Sequence, residues 1–169
     1  LEYADQQYTL LCPSLPINGR TVRDGVLYVN GVALSESPMK SHPLNPMWDS
    51  SIASLMVSQS KYPCHTLAIQ ELEDGVYQDR IALWARKSPH FYLIPDYVTD
   101  EDGEVIGKHF SDLVVNTGGS GLLEHLLPKR SCVPSKRGNR GIEPAILLCG
   151  SCSVMTGKQI RAFVRNGGN

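Results

Sequence analysis

Two β-rich runs that meet at Asn30-Gly31 constrain this chain more than any other feature. VLYV and VALS occupy residues 26–29 and 32–35. An Asn-Gly pair between such runs suits a type I′ turn, because both central residues need φ > 0 and these two residue types tolerate it. A hairpin is therefore predicted over residues 26–35, and no helix runs through them. The remaining apolar runs are short: YTLLC at 8–12, stopped by Pro13, then residues 66–69, 91–94, 113–115 and AILLC at 145–149. Strand-length runs alternating with longer mixed stretches are the pattern of α/β architecture.

Helices are predicted in the mixed stretches. One starts at Asp49 or Ser50, both good N-caps, and runs to about Gln59. Others cover residues 75–86, 122–127 and 156–165. A further one opens at Thr99-Asp100-Glu101-Asp102, where the Thr hydroxyl can cap and the acids suit the helix dipole. SHPLNPM at 41–47 holds two prolines and cannot be regular helix or a central strand. The expected fold is α/β, a largely parallel sheet flanked by helices with a β-hairpin insertion, followed by the start of a second α/β domain.

Residues 128–144 differ in kind. They carry Lys129, Arg130, Lys136, Arg137 and Arg140, two glycines and no apolar periodicity, which reads as an exposed linker. The boundaries are then 1–127 for the first domain, 128–144 for the linker and 145–169 for the opening of the second. At 169 residues with 41% hydrophobic and 20% charged residues, one domain plus a piece of another fits, and disorder throughout is excluded. No apolar run approaches the roughly 20 residues of a membrane-spanning helix. A formal net charge of −1 gives no global pull toward nucleic acid or an acidic membrane face. Five cysteines, odd in number and irregularly spaced, argue against a secreted disulfide framework and for a reducing cytoplasm. The chain opens on Leu rather than Met, so a longer parent polypeptide is expected.

Two Gly/Ser loops stand between an apolar run and a helix: Thr117-Gly-Gly-Ser-Gly121 and Gly150-Ser-Cys-Ser153. In an α/β sheet such loops lie at the carboxyl ends of strands, where ligands bind, and glycines let backbone N–H groups approach an anion. Neither loop has the Walker or dinucleotide spacing, and a tight strand-to-helix turn explains each equally well. Cys149-Gly-Ser-Cys152 has redox spacing without a thioredoxin-like setting, and no second Cys or His pair stands at zinc-ligand spacing. Arg20 can offer a planar fork of donors to a carboxylate or phosphate, or simply sit in a surface turn. His42 stands beside two prolines in a segment stiff enough to hold it still, yet a lone His is more often structural. Asp96 and Glu36 are each placed equally well as ligand or turn former, and His65, His90, His109 and His125 receive no role. On spacing alone the chain is an α/β domain with an anion-binding edge.

CPSLPINGRT, GVLYVNGVALSES and HPLNPM follow one another over residues 12–47, with NTGGSGL at 116–122 and LLCGSCSVMTGKQI at 147–160. In this order they resemble the four-carbon acid sugar kinase family, and within it the 3-oxo-tetronate 4-kinases. The resemblance implies ATP-dependent, Mg²⁺-assisted phosphorylation of the terminal hydroxyl of a four-carbon acid sugar. It implies a sugar-binding N-terminal domain and a nucleotide-binding C-terminal domain, of which this chain would hold the later half of the first and the opening of the second. Arg20, Thr21, His42, Gly118, Gly119 and Ser120 would then bind the sugar acid. Gly150, Ser151 and Ser153 would line the nucleotide site, with Ser153 the direct contact. The family's D-D-F-T-G motif is absent, no catalytic base is identified, and Asp96-Tyr97 stands where the family has Asp and a small residue. Little or no activity is expected of the chain alone, with an unpaired sheet edge favouring association, including a homodimer. The alternatives are a non-catalytic sugar-acid binding module and a kinase for threonate or erythronate. Neither nucleic acid nor membrane is an expected partner.

Overall fold

The computed structural model describes residues 1–41, 45–127 and 154–168. They fall into two units, within Leu1–Lys129 and within Arg130–Asn169, and each is described by itself. The first unit contains β1 (Tyr8–Cys12), β2 (Arg20–Arg23), β3 (Val26–Val29), β4 (Val32–Ala33), α1 (Ile52–Val57), β5 (Cys64–Leu67), α2 (Ile69–Glu73), α3 (Tyr77–Ala85), β6 (Phe91–Pro95), α4 (Asp100–Phe110), β7 (Thr117–Gly118) and α5 (Leu123–Leu126). The second contributes α6 (Val154–Arg165).

Strands β5, β6, β1 and β7 form a parallel sheet in that spatial order, and β2, β3 and β4 form an antiparallel one. This is the expected class, a parallel sheet with helices and a hairpin. The parallel sheet is covered on both faces, which suits the mostly apolar sequences of its central strands β1 and β6. Side chains alternate across it: Leu10 and Leu93 join one buried cluster with Leu72, Tyr77, Ile106 and Phe110 of α2, α3 and α4. Their neighbours Leu11 and Ile94 turn to the other cluster, with Val22, Leu27 and Ile52 from the small sheet and α1.

The hairpin forms at Asn30-Gly31 with φ of 53° and 78°, both positive as a type I′ turn needs. A second such turn at Asp24-Gly25, with φ of 51° and 72°, makes residues 20–23 a strand, where the sequence analysis assigns no element. Residues 113–115 are not a strand either. The Val115 backbone is held by side chains instead: Gln6 Nε2 and Thr9 Oγ1 donate to its carbonyl at 2.8 and 2.6 Å, and its N–H donates to Gln6 Oε1 at 3.0 Å. The ladder with β1 falls two residues later, at Thr117–Gly118. Helix α1 starts at Ile52, capped by Ser51, and the predicted strand at 66–69 sits two residues earlier, with Ile69 already in α2. At the start of α4 the Asp102 carboxylate takes the Val98 and Thr99 N–H groups, each at 2.8 Å. The linker at 128–144 and the strand at 145–149 lie outside the described residues. Among the described residues, no helix is long and apolar enough to cross a membrane.

Trp84 of α3 ties its helix to the sheet: His65 of β5 stacks on it at 4.4 Å and 2°, and the Arg80 guanidinium lies 4.7 Å from its ring centroid. Burial, then the charges of Arg80 and Lys87, push the His65 pKa below its ordinary 6.5. His109 is lowered too, by burial and Lys108. Both rings therefore fold neutral, and the stability they contribute is complete above the unfolded pKa and lost as pH falls through the lower folded one. The melting temperature is expected to drop as the pH falls through and below the ordinary histidine value of 6.5, before most carboxylates titrate. His65→Phe keeps a stacked ring without the proton and should reduce that slope; an unchanged slope in calorimetric melts would refute the assignment.

Candidate active-site edge

Because β1 lies between β6 and β7, the segments that leave these three strands emerge side by side at the carboxyl edge of the parallel sheet, where open α/β folds take ligands. The glycine loop lies directly on the segment after β1. Gly119 N–H donates to the Cys12 carbonyl at 2.9 Å. A Cβ on Gly118 would overlap that carbonyl oxygen and sit 2.8 Å from its carbon. One on Gly121 would lie 2.7 Å from the Ser14 oxygen and 3.0 Å from Leu15 Cα. Glycines stand here because two backbones touch.

Leu15 carries the next link. It exchanges backbone hydrogen bonds with Arg20, Leu15 N–H to Arg20 O at 2.8 Å and Arg20 N–H to Leu15 O at 3.2 Å. Between them, one 3-10 turn at Pro16–Asn18 closes through Gly19 at φ 69°. Arg20 is thus exposed at the start of β2, one residue pairing away from the loop at Gly118 to Gly121. Thr21 does not share that position. Successive strand residues face opposite ways, and Thr21 joins Arg23, Tyr28, Gly31 and Val98 in lining a separate cleft of about 330 Å³. The sequence reading had Arg20 and Thr21 acting together; the pleat separates them. Gly118 and Ser120 are exposed and Gly119 half-buried. His42, Gly150, Ser151 and Ser153 lie outside the described residues.

Asp96, left open between ligand and turn former, does the second with at least one oxygen: Oδ1 accepts the Asp24 N–H at 2.7 Å, clasping the β2–β3 turn to the end of β6. Burial nonetheless raises its pKa, with the nearby charges of Asp24 and Asp102 pushing the same way. Ser14 escaped the sequence reading, and Tyr97 entered it only as a departure from the family's small residue. Ser14 is fully buried, and its hydroxyl has no hydrogen-bond partner among the described residues. Tyr97 is 1% exposed, exchanges backbone hydrogen bonds with Val22, and reaches the Gly121 carbonyl with its hydroxyl. No local pattern marks either one.

Cysteine chemistry is unsupported among the described residues, since burial pushes the Cys12 thiol up to about 12 and that of Cys64 to about 11, where neither is a thiolate at neutral pH. Among the described residues no group of three or more His, Cys, Asp or Glu could hold a metal ion. The edge can receive a small anion or polyol against backbone, and the exposed Arg20 starts the strand that pairs with Leu15 next to it.

Comparison with known proteins places the chain in a family. The 3-oxo-tetronate kinase of Brucella melitensis is 36% identical over 96% of this chain and 39% of its own length. A solved DUF1537 structure from Haemophilus influenzae superposes with a TM-score of 0.69 at 33% identity, covering 98% of this chain and 41% of that one. A DUF1537 protein of Bordetella bronchiseptica, solved as a domain-swapped dimer with bound citrate, gives a TM-score of 0.54 at 28% identity over 72% of this chain and 28% of that one. The chain spans about two fifths of the length of the curated relatives it matches. Residues 1–126 match the family described as the sugar-binding N-terminal domain, and this chain belongs to that family.

Proposed function

We propose that this chain forms the acid-sugar side of a kinase that phosphorylates the terminal hydroxyl of a four-carbon acid sugar, 3-oxo-tetronate, to its 4-phosphate. The observation that carries the reading is the glycine loop laid on the end of β1, with Arg20 exposed at the start of β2 and its backbone paired to Leu15, on which Gly121 rests. A charge-assisted pair from Arg is a natural way to hold a small carboxylate, while Gly118, Gly119 and Ser120 leave room for the hydroxyls. Kinase relatives and a citrate-bound relative, itself holding a hydroxy acid with several carboxylates, support the same ligand class.

Residues 1–127 would be the later part of the sugar domain, 128–144 the linker and 145–169 the opening of a nucleotide-binding domain. His42 would add to the sugar site, and Gly150, Ser151 and Ser153 would face the nucleotide. Bound ATP would supply the phosphoryl group, with Mg²⁺ neutralising its charge. Thr21 enters only through the cleft on the opposite face of β2. Two free thiols, Cys12 and Cys64, fit a reducing cytoplasm, and the domain-swapped relative supports a homodimer.

The test is a coupled ATP-consumption assay with Mg²⁺ on this chain and on a longer polypeptide carrying it, with 3-oxo-tetronates, threonate and erythronate as acceptors. Turnover by the longer protein supports the kinase, and the best acceptor names the substrate. Absent turnover with sugar-acid binding intact favours the binding module. Arg20→Ala should weaken sugar-acid binding by roughly 10- to 100-fold, the loss of one bond to a charged group. An unchanged affinity by calorimetry would remove Arg20 from the site.

A further inference from the structure

Tyr97 sits where the two halves of the edge meet, and it touches both. Its backbone N–H donates to the Val22 carbonyl at 2.9 Å and its carbonyl accepts the Val22 N–H at 3.0 Å, which joins the end of β6 to the strand that carries Arg20. Its hydroxyl donates to the Gly121 carbonyl at 3.1 Å. Gly121 in turn rests on Leu15, and Leu15 pairs with Arg20. Arg20, Leu15, Gly121, Tyr97 and Val22 therefore form a closed circuit of short contacts, with β2 as one side. Only one link in that circuit between the glycine loop and β6 depends on a side-chain polar atom, and it is the phenol.

The surroundings leave the ring little choice of position. A Cβ on Gly103 of α4 would come within 2.6 Å of the Tyr97 hydroxyl oxygen and of the His125 ring. The edge of His125 meets Tyr97 at 6.2 Å and 75°, and His125 Nε2 lies 3.2 Å from Asp100 Oδ1. Burial and neighbouring acidic groups push the phenol up to about 12, so it stays a donor across the physiological range.

We propose that Tyr97 is a positioning residue that sets the separation between the Gly118-to-Gly121 loop and the Arg20 strand. Its mechanical part stands on the contacts alone; its consequence for ligand binding rests on the sugar-acid reading above.

Tyr97→Phe keeps the ring and removes the one link. In the 169-residue chain, amide hydrogen exchange at Gly119, bonded to Cys12, and at Leu123, bonded to Ser120, is expected to quicken about fivefold, the loss of one ordinary hydrogen bond. Tyr92→Phe is the control: its hydroxyl meets Ser60 elsewhere, and the same two amides should keep their rates. Titration of both variants and the wild type with threonate and erythronate supplies the second readout, with a severalfold weaker affinity expected for Tyr97→Phe alone. Unchanged exchange at Gly119 and Leu123 overturns the proposal. Faster exchange with wild-type affinity overturns its ligand part and leaves Tyr97 a packing residue. A wild type that binds neither acid overturns the sugar-acid reading, and the exchange rates still decide the mechanical claim.

Discussion

Phe91→Ala is expected to lower the stability of this chain by about 4 kcal/mol, close to the whole of what a domain at the weak end of the usual range possesses. The residue begins β6 and is fully buried. Three rings depend on it: Tyr8 stacks at 5.5 Å, and His65 and Trp84 meet it edge-on at 5.6 and 6.3 Å. Those rings come from β1, β5 and α3, so a cavity at Phe91 undermines three elements at once, and the parallel β1–β6 ladder starts at this residue opposite Tyr8. Large-to-small changes cost least where the surroundings can collapse. Here the neighbours are aromatic rings fixed in two strands and a helix, which closes that route. Urea unfolding followed by circular dichroism reads the difference; a loss below about 1.5 kcal/mol, the cost of an ordinary substitution, would mean that the cluster relaxes and that the packing described here is not what holds the sheet to α3.

How much of this was legible beforehand divides along physical lines. The β1 run and the Asn30-Gly31 hairpin were readable because each is encoded by adjacent residues: an apolar run closed by Pro13, and a turn whose two residues tolerate positive φ. Asp24-Gly25 carries the same turn signal as Asn30-Gly31; weighing it would have made residues 20–23 a strand and separated Arg20 from Thr21 at once. Strand β7 is a different matter. It is two residues long, one of them glycine, and has no side-chain pattern; only pairing with Leu11 and Cys12 makes it a strand. The apolar residues before it, 113–115, drew the expectation too early, ending two residues before β7 begins, because the Gln6 and Thr9 side chains that satisfy Val115 are more than a hundred residues away. The glycine loop was visible as a tract after an apolar run, but its reason was not. Glycine is needed there less for φ than for a backbone passing over another backbone, and that partner is distant in sequence. Ser14 was out of reach for the same cause, and so were the contacts of Tyr97, which the sequence marked only as a departure from the family's small residue.

The backbone contact under the loop separates two adjacent glycines sharply. Gly118→Ala places a methyl into the Cys12 carbonyl, a backbone group inside the β1–β7 ladder that cannot rotate away. Either β7 lifts off β1 or β1 shifts, at a cost of about 3 kcal/mol, the upper range for overpacking. Gly119→Ala meets nothing closer than the Pro13 carbonyl oxygen at 3.4 Å, ordinary contact, and its φ of −77° and ψ of 168° suit any residue. That variant should be neutral or stabilising by up to about 1 kcal/mol, since alanine has fewer unfolded states to lose. The functional consequence follows the same split. A displacement of about 1 Å in a positioning element costs about a hundredfold in rate, so on the kinase reading the longer polypeptide should lose about that factor in kcat/KM with Gly118→Ala while keeping most of it with Gly119→Ala. If both variants lose activity while only Gly118→Ala loses stability, a ligand atom and not the fold is what excludes a side chain at Gly119, and the loop contacts the substrate directly. If neither loses stability, the loop does not rest on β1 as described.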